Sequence, residues 1–310
     1  MIEIVCCLDD HFVEFTGVML DSLFFHNRNE KFRVHVIFSS KVTQKTKDRL
    51  SQLGKQSSAE FCFYELSYDL FKAFPTNKTD HISVSAYIRL FMSEVLPDDV
   101  EKVLYLDGDM LVVNSVRELW EMDLGDAMVA AVEERYPFDT ESPERLGYPK
   151  SYSYFNSGVL LVNLKKWKEC NFAQACLDFI HSHYDRIRLH DQDVLNALLF
   201  DKKKFISIRW NLMDFFLYKR PEVQEYRIED WKKALESPAI IHFTGRRKPW
   251  LHCCDNPYRD LYIRFAKKRG WKVQTRISAS HYFLRKHLYR LINKKKTITV
   301  PTPDTEIHNL

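Results

Sequence analysis

Glycine is scarce in this chain: 8 of 310 residues, with no Gly-x-Gly-x-x-Gly after the first apolar segment. A chain so short of glycine is not expected to cradle a diphosphate on a glycine-rich loop, so a bound phosphate would need another partner, such as a metal ion. Long apolar runs are also missing. No window approaches 18 uninterrupted apolar residues, so no membrane-spanning helix is expected. The first residues, Met1-Ile2-Glu3-Ile4-Val5-Cys6-Cys7, carry neither a basic leader nor a small-residue cleavage site, so no signal peptide is expected either. Cys-x-x-Cys is absent. The seven cysteines (Cys6, Cys7, Cys62, Cys170, Cys176, Cys253, Cys254) are odd in number, and several lie in apolar runs. That pattern fits reduced thiols better than a disulfide framework or a zinc site, and the expected location is cytoplasmic.

What remains is ordinary globular composition, 45% hydrophobic and 28% charged, enough for one large α/β domain with an appendage. The net charge of +4 conceals an asymmetry. Twelve Lys or Arg and no acid lie between Arg264 and Lys296, which leaves 34 basic against 42 acidic residues elsewhere. The chain reads as an acidic body, residues 1–265, with a basic tail, residues 266–310.

Apolar strand-length segments at residues 2–8, 32–38 and 61–64 alternate with helical patterns, as parallel βαβ units do. A helix is expected over 85–91, and strands over 126–132, 154–163 and 239–243. Residues 136–153, with Pro137, Pro143, Gly147 and Pro149, read as a long loop. Helices are expected from Leu164 through Trp167 and over 191–200.

The chain is organised around residues 103–113, an apolar β-type run interrupted by Asp107-Gly108-Asp109. Two aspartates at the carboxyl end of a buried strand face the crevice where open α/β sheets bind ligands. Gly108 lets the backbone turn and a ligand approach, and both carboxylates could then meet one hard divalent cation. The competing reading is a solvated turn, and a second Asp-x-Asp occurs at Asp191-Gln192-Asp193. Other acids and bases also fall at expected strand ends: Asp9 and Asp10, Glu133 and Glu134, and His242. His242 is either a third metal ligand, which would favour Mn²⁺ over Mg²⁺, or a capped strand-end residue. Lys248 is either a point charge on a phosphate or a solvated loop lysine.

Five ordered motifs then appear together: Tyr105-Leu106-Asp107-Gly108-Asp109; His81-Ile82-Ser83 with Tyr87 and Arg89-Leu90; residues 154–164 around Asn156-Ser157-Gly158; Asp191-Gln192-Asp193 with Asn196; and His242, Gly245 and Lys248-Pro249-Trp250. Over residues 1–265 the chain resembles the family-8 retaining glycosyltransferases, particularly those of the bacterial lipopolysaccharide core. The resemblance implies a GT-A fold and a UDP-sugar donor bound with Mn²⁺, Mg²⁺ being possible. It implies metal ligation by Asp107, Asp109 and His242, and diphosphate contacts from Lys248 and Gly245. Gly108 and Asp107 belong to the same donor site. Asp9 matches the uridine position, with Asp10 beside it. Arg89, Asn156, Asp191 and Gln192 match positions around the donor sugar, Gln192 next to the anomeric carbon. Where the family commonly has an aspartate contacting acceptor or sugar, this chain has Glu133-Glu134, and Glu134 is the preferred equivalent.

The implied reaction moves galactose or glucose from UDP-hexose to a hydroxyl of a glycan or glycolipid. A sugar-nucleotide-binding module without turnover and a metal-dependent UDP-sugar hydrolase are the alternatives. In the tail, Phe283, Leu284, Leu288, Leu291 and Ile292 recur at helical spacing among Arg285, Lys286 and Arg290. Such a helix reads as an anchor to an anionic membrane surface, placing the enzyme at the inner face of the cytoplasmic membrane, or as a helix packed on the acidic body. Nucleic acid is not an expected partner.

Overall fold

The structure, a computed structural model, describes residues 1–38, 42–66, 84–134, 141–217, 225–251 and 253–273. In chain order the elements are β1 (Ile2–Leu8), α1 (Val13–His26), β2 (Phe32–Phe38), α2 (Gln44–Ser57), β3 (Glu60–Glu65), a 3-10 helix (Val84–Phe91), α3 (Met92–Val95), β4 (Lys102–Leu106) and β5 (Met110–Val112). There follow α4 (Arg117–Trp120), β6 (Val129–Glu133), α5 (Ser142–Leu146), β7 (Phe155–Asn163), α6 (Leu164–Glu169), α7 (Phe172–His183), α8 (His190–Leu199) and β8 (Lys203–Phe205). The described chain ends through β9 (Leu212–Met213), α9 (Ile228–Glu236), β10 (Ile240–His242) and α10 (Arg259–Lys268). No described helix is long and apolar enough to cross a membrane. The 81–83 part of one motif, part of the 136–153 segment and the amphipathic tail lie outside the described residues.

Two compact units emerge, and the division falls inside the Asp107-Gly108-Asp109 turn. The first unit holds Met1–Val13, Asn29–Asp107 and Arg117–Ile206. Its seven-stranded sheet runs β3-β2-β1-β4-β7-β6-β8, mainly parallel, with β7 antiparallel to both its neighbours. Val5, Val103, Tyr105, Leu160 and Val162 from the strands pack with Trp167, Ile180, Leu195 and Leu199 from the helices. Burial of each such side chain contributes about 1.5–3 kcal/mol, and burial on both faces explains the near-continuous apolar runs of β1 and β4.

The second unit holds Glu14–Arg28, Gly108–Val116 and the chain from Ser207 onward. Its sheet has the order β5-β10-β9. The expected run over 103–113 is therefore two strands in two sheets, because the chain turns at Gly108. Thr16 of α1 packs against that glycine so closely that a Cβ there would collide with the threonine hydroxyl. His242 likewise does not end a strand of the parallel sheet: β10 pairs antiparallel with β5 and parallel with β9. The helix expected over 85–91 is present as a 3-10 helix, Val84–Phe91. One further expectation is corrected: the 136–153 segment contains α5, which has Pro143 in its first turn, where proline loses no helical hydrogen bond.

The described C-terminal end is clasped to α1. Arg269 donates from Nε and Nη2 to the buried Asp21, Trp271 Nε1 donates to Asp21 Oδ2 at 2.8 Å, and the indole lies on Gly17. α10 is continuous across residue 265, the expected end of the acidic body. A Cβ on Gly17 would overlap the Trp271 ring. Gly17→Ala is therefore expected to destabilise the protein by about 1–3 kcal/mol through overpacking, read as a lowered urea midpoint. An unchanged midpoint would show that the indole does not need this seat.

Candidate functional site

In the first unit, Arg89 is the hub of a buried cluster. Its Nη2 lies 2.9 Å from Asp107 Oδ1, its Nε 3.0 Å from Asp191 Oδ2, and its Nη1 donates to the Ser157 carbonyl at 2.8 Å. The guanidinium carbon sits 4.5 Å from the Tyr105 ring centroid, and the Tyr105 hydroxyl donates to Asp107 Oδ1 at 2.7 Å. Each partner is delivered by a different element: Asp107 just beyond β4, Ser157 on β7, and Asp191 in the first turn of α8. The Asp107 N–H is fixed by the Gly158 carbonyl at 2.9 Å. Burial pushes the Asp191 carboxyl up to about 6, against the pull of Arg89 and with a further push from Asp107.

Gln192 comes next in the same turn. Its Oε1 accepts from Asn156 Nδ2 and from the Ser157 N–H, each at 3.0 Å, and its Nε2 donates to Glu134 Oε2 at 3.0 Å. Asn156 Nδ2 donates to the same Glu134 oxygen at 3.0 Å. Of the two glutamates, Glu134 therefore joins the cluster. The register shift between β6 and β7 at Ala131 and Glu133 is a bulge that re-aims the residues beyond it, and Glu134 N–H is then held by the Tyr154 carbonyl. Asp193 and Asn196 are structural. Asp193 takes Arg145, Tyr154 and the N–H groups of Arg188 and Leu189, while Asn196 brackets the Phe155 backbone.

Asp9 and Asp10 lie beyond β1. The Asp9 carboxylate accepts from the His11 and Phe12 N–H groups and shapes the turn. Asp10 accepts from the Thr43 N–H and from the hydroxyls of Thr43 and Thr46, so it caps the start of α2 from a distance.

In the second unit, the antiparallel register sets His242 opposite Met110 and bonds the Phe243 N–H to the Asp109 carbonyl at 3.1 Å. The buried His242 Nε2 and Asp109 Oδ1 are 3.2 Å apart, and Lys248 Nζ pairs with Asp109 Oδ2. Burial works to raise the Asp109 carboxyl, but Lys248 and His242 hold it well below the usual carboxylate range. Lys248 also donates to the Phe243 carbonyl at 2.7 Å. The Gly245 N–H donates to Asp214 Oδ2 at 2.9 Å.

Asp107, two residues before Asp109, completes with His242 the candidate metal ligands among the described residues. The donors suit a cation. His242 Nδ1 contacts Asn211 Oδ1 at 2.9 Å, and since that oxygen can only accept, Nδ1 carries the proton. In the neutral ring the Nε2 lone pair then points at the Asp109 carboxylate, an arrangement that a bound cation satisfies. Tyr105, Ser157, Asn211, Asp214 and Asn256 contribute to these clusters without having been assigned from sequence. Asn211 and Asp214 left one trace, as polar residues flanking the apolar Leu212-Met213.

A mixed, mainly parallel sheet flanked by helices, ending in paired aspartates, is the GT-A glycosyltransferase fold. The sequence profile of glycosyl transferase family 8 matches residues 3–254, and the chain belongs to that family. It is 29% identical to general stress protein A of Bacillus subtilis over 88% of this chain and 96% of that one. To the lipopolysaccharide 1,2-glucosyltransferase of Escherichia coli K12 it is 27% identical, over 86% and 77%. The solved structure of the galactosyltransferase LgtC with donor and acceptor sugar analogs superposes with a TM-score of 0.76 at 26% identity, covering 90% of this chain and 98% of that one.

Proposed function

We propose that this glycosyltransferase moves a hexosyl group, galactose or glucose, from a UDP-hexose to a hydroxyl of a glycan or glycolipid, with retained anomeric configuration. Asp107, Asp109 and His242 would hold a divalent cation, Mn²⁺ in preference to Mg²⁺ because of the imidazole. The observation that carries the reading is the buried Asp109–His242 pair, 3.2 Å apart, with Lys248 on the second Asp109 oxygen. The bound cation supplies neutralisation of the negative charge that develops on the departing diphosphate.

The protein's own residues do the rest. Lys248 offers a second positive charge to the diphosphate, and the Gly245 turn sets its reach. Arg89 fixes Asp107 and Asp191 in one arrangement, so the donor sugar meets a pre-ordered polar wall. The bond from the anomeric carbon to the diphosphate oxygen breaks, a bond to the acceptor oxygen forms on the same face, and the acceptor proton leaves with the diphosphate. A double displacement would need a nucleophile on the opposite face. Gln192 is poorly suited to it: its carbonyl oxygen already accepts from Asn156 and Ser157. These contacts support Gln192 as an orienting dipole beside an oxocarbenium-like centre, with Glu134 facing the acceptor or sugar.

The test is UDP release from UDP-galactose and UDP-glucose with Mn²⁺, with and without glycan acceptors, together with product masses. Release is expected to rise at least tenfold with a suitable acceptor, to stop with EDTA and to return with Mn²⁺. Release indifferent to acceptor would identify a hydrolase, and UDP binding without turnover a binding module. Either outcome would overturn the proposal.

A further inference from the structure

The proposed metal ligand and the proposed diphosphate loop are both gripped from one neighbouring segment. β9 runs parallel to β10, pairing Leu212 with Ile241 and Met213 with His242. The residue before β9, the fully buried Asn211, accepts from His242 Nδ1 at 2.9 Å. The residue after it, Asp214, accepts from the Gly245 N–H at 2.9 Å. Both contacts join residues 31 apart in sequence, as two parallel segments lying side by side require. Asp214 is itself braced, because Asn256 Nδ2 donates to its Oδ1 and Asn256 Oδ1 accepts from the Tyr258 N–H at 2.8 Å.

We propose that Asn211 and Asp214 are positioning residues, Asn211 setting the His242 ring for the metal and Asp214 setting the Gly245 turn that carries Lys248. The inference rests on the functional reading above and extends it to two residues outside the metal and diphosphate contacts. The tautomer matters because a histidine ligand offers the nitrogen that its other hydrogen bond leaves free, and such supports typically change metal affinity by roughly 10–100-fold. The turn matters because Gly245 is three residues before Lys248. Just ahead of that glycine, the Phe243 and Thr244 carbonyls accept from Lys248 Nζ at 2.7 and 3.3 Å, so freeing Gly245 would loosen the ammonium as well.

A reciprocal exchange tests the Asp214 half on the full chain. In Asp214→Asn, one face of the new amide must present NH₂ to another donor, either the Gly245 N–H or Asn256 Nδ2. Mn²⁺-dependent UDP affinity, measured by calorimetry, is expected to fall roughly tenfold. Adding Asn256→Asp restores a donor–acceptor pair at every contact. The amide oxygen at position 214 accepts from the Gly245 N–H, and its NH₂ donates to the carboxylate at position 256. That carboxylate still accepts from the Tyr258 N–H. The double variant is expected to recover to within about threefold of wild type. For Asn211, the similarly sized Asn211→Leu is expected to weaken Mn²⁺ binding about 10–100-fold, whereas Asn211→Asp, which keeps the acceptor, retains it. Wild-type affinity in Asp214→Asn and Asn211→Leu would overturn this proposal alone. So would a double variant that fails to recover. A wild-type protein without Mn²⁺-dependent UDP affinity would remove the functional reading and this inference together.

Discussion

Asp109→Asn is expected to lower Mn²⁺-dependent kcat/KM by roughly a thousandfold or more, the scale seen when a pre-organised charge-stabilising group is removed. The substitution preserves shape and removes one charge. That charge is held low in pKa although the residue is buried, so it is fully developed at neutral pH and available to a cation. Lys248 loses its counter-charge, and His242, 3.2 Å away, loses the carboxylate beside its Nε2. Lys248 keeps some contact with water, its side chain being 22% exposed, so the cost in stability should stay at about 1–3 kcal/mol. Kinetics across a Mn²⁺ titration, with melting in EDTA on the same samples, separates lost ligation from lost fold. Near-normal turnover in a normally folded variant would remove Asp109 from the site.

The resemblance could carry the fold and the centre of the site because the residues concerned sit in long, strongly patterned segments. β1, β4 and β7 are mostly apolar segments with the acids or amides at or beside one end, and Asp191-Gln192 lie in the first turn of α8. The two-sheet architecture was not legible. Periodicity reports burial but not strand partners, so 103–113 looked like one strand with an interruption. The three residues of β10 gave no sign that they pair with β5 in a second sheet. The supports of the site were equally hidden. Asn211 and Asp214 flank a two-residue strand, too short for any period, and each acts on a residue 31 positions away. Asp10 also has a contact that sequence did not signal: its carboxylate is engaged by Thr43 and Thr46 at the start of α2.

Arg89→Met should produce a protein whose stability depends steeply on pH. In the wild type, burial holds the Asp191 carboxyl near 6, above its unfolded value, with Arg89 pulling it down. A group whose folded pKa is raised contributes stability below its unfolded pKa and loses that contribution as pH rises through the folded pKa, here between about 4 and 6. Removing the guanidinium raises the Asp191 pKa further and extends that loss to higher pH. At pH 5 the variant holds Asp191 as a neutral acid, and the deficit is mainly the lost contacts with Asp107, the Ser157 carbonyl and the Tyr105 ring. At pH 8 it must either keep a buried carboxylate without its cation or take up a proton, and the deficit should reach about 3–5 kcal/mol. Adding Asp191→Asn should reduce the pH dependence and recover part of the stability at pH 8, since the amide needs no counter-charge, while Asp107 still lacks its Arg89 partner. Urea unfolding of the two variants and the wild type at pH 5 and pH 8 gives the comparison. Equal destabilisation at both pH values would show that Arg89 acts through packing and its carbonyl contact, with no dependence on the charge of Asp191.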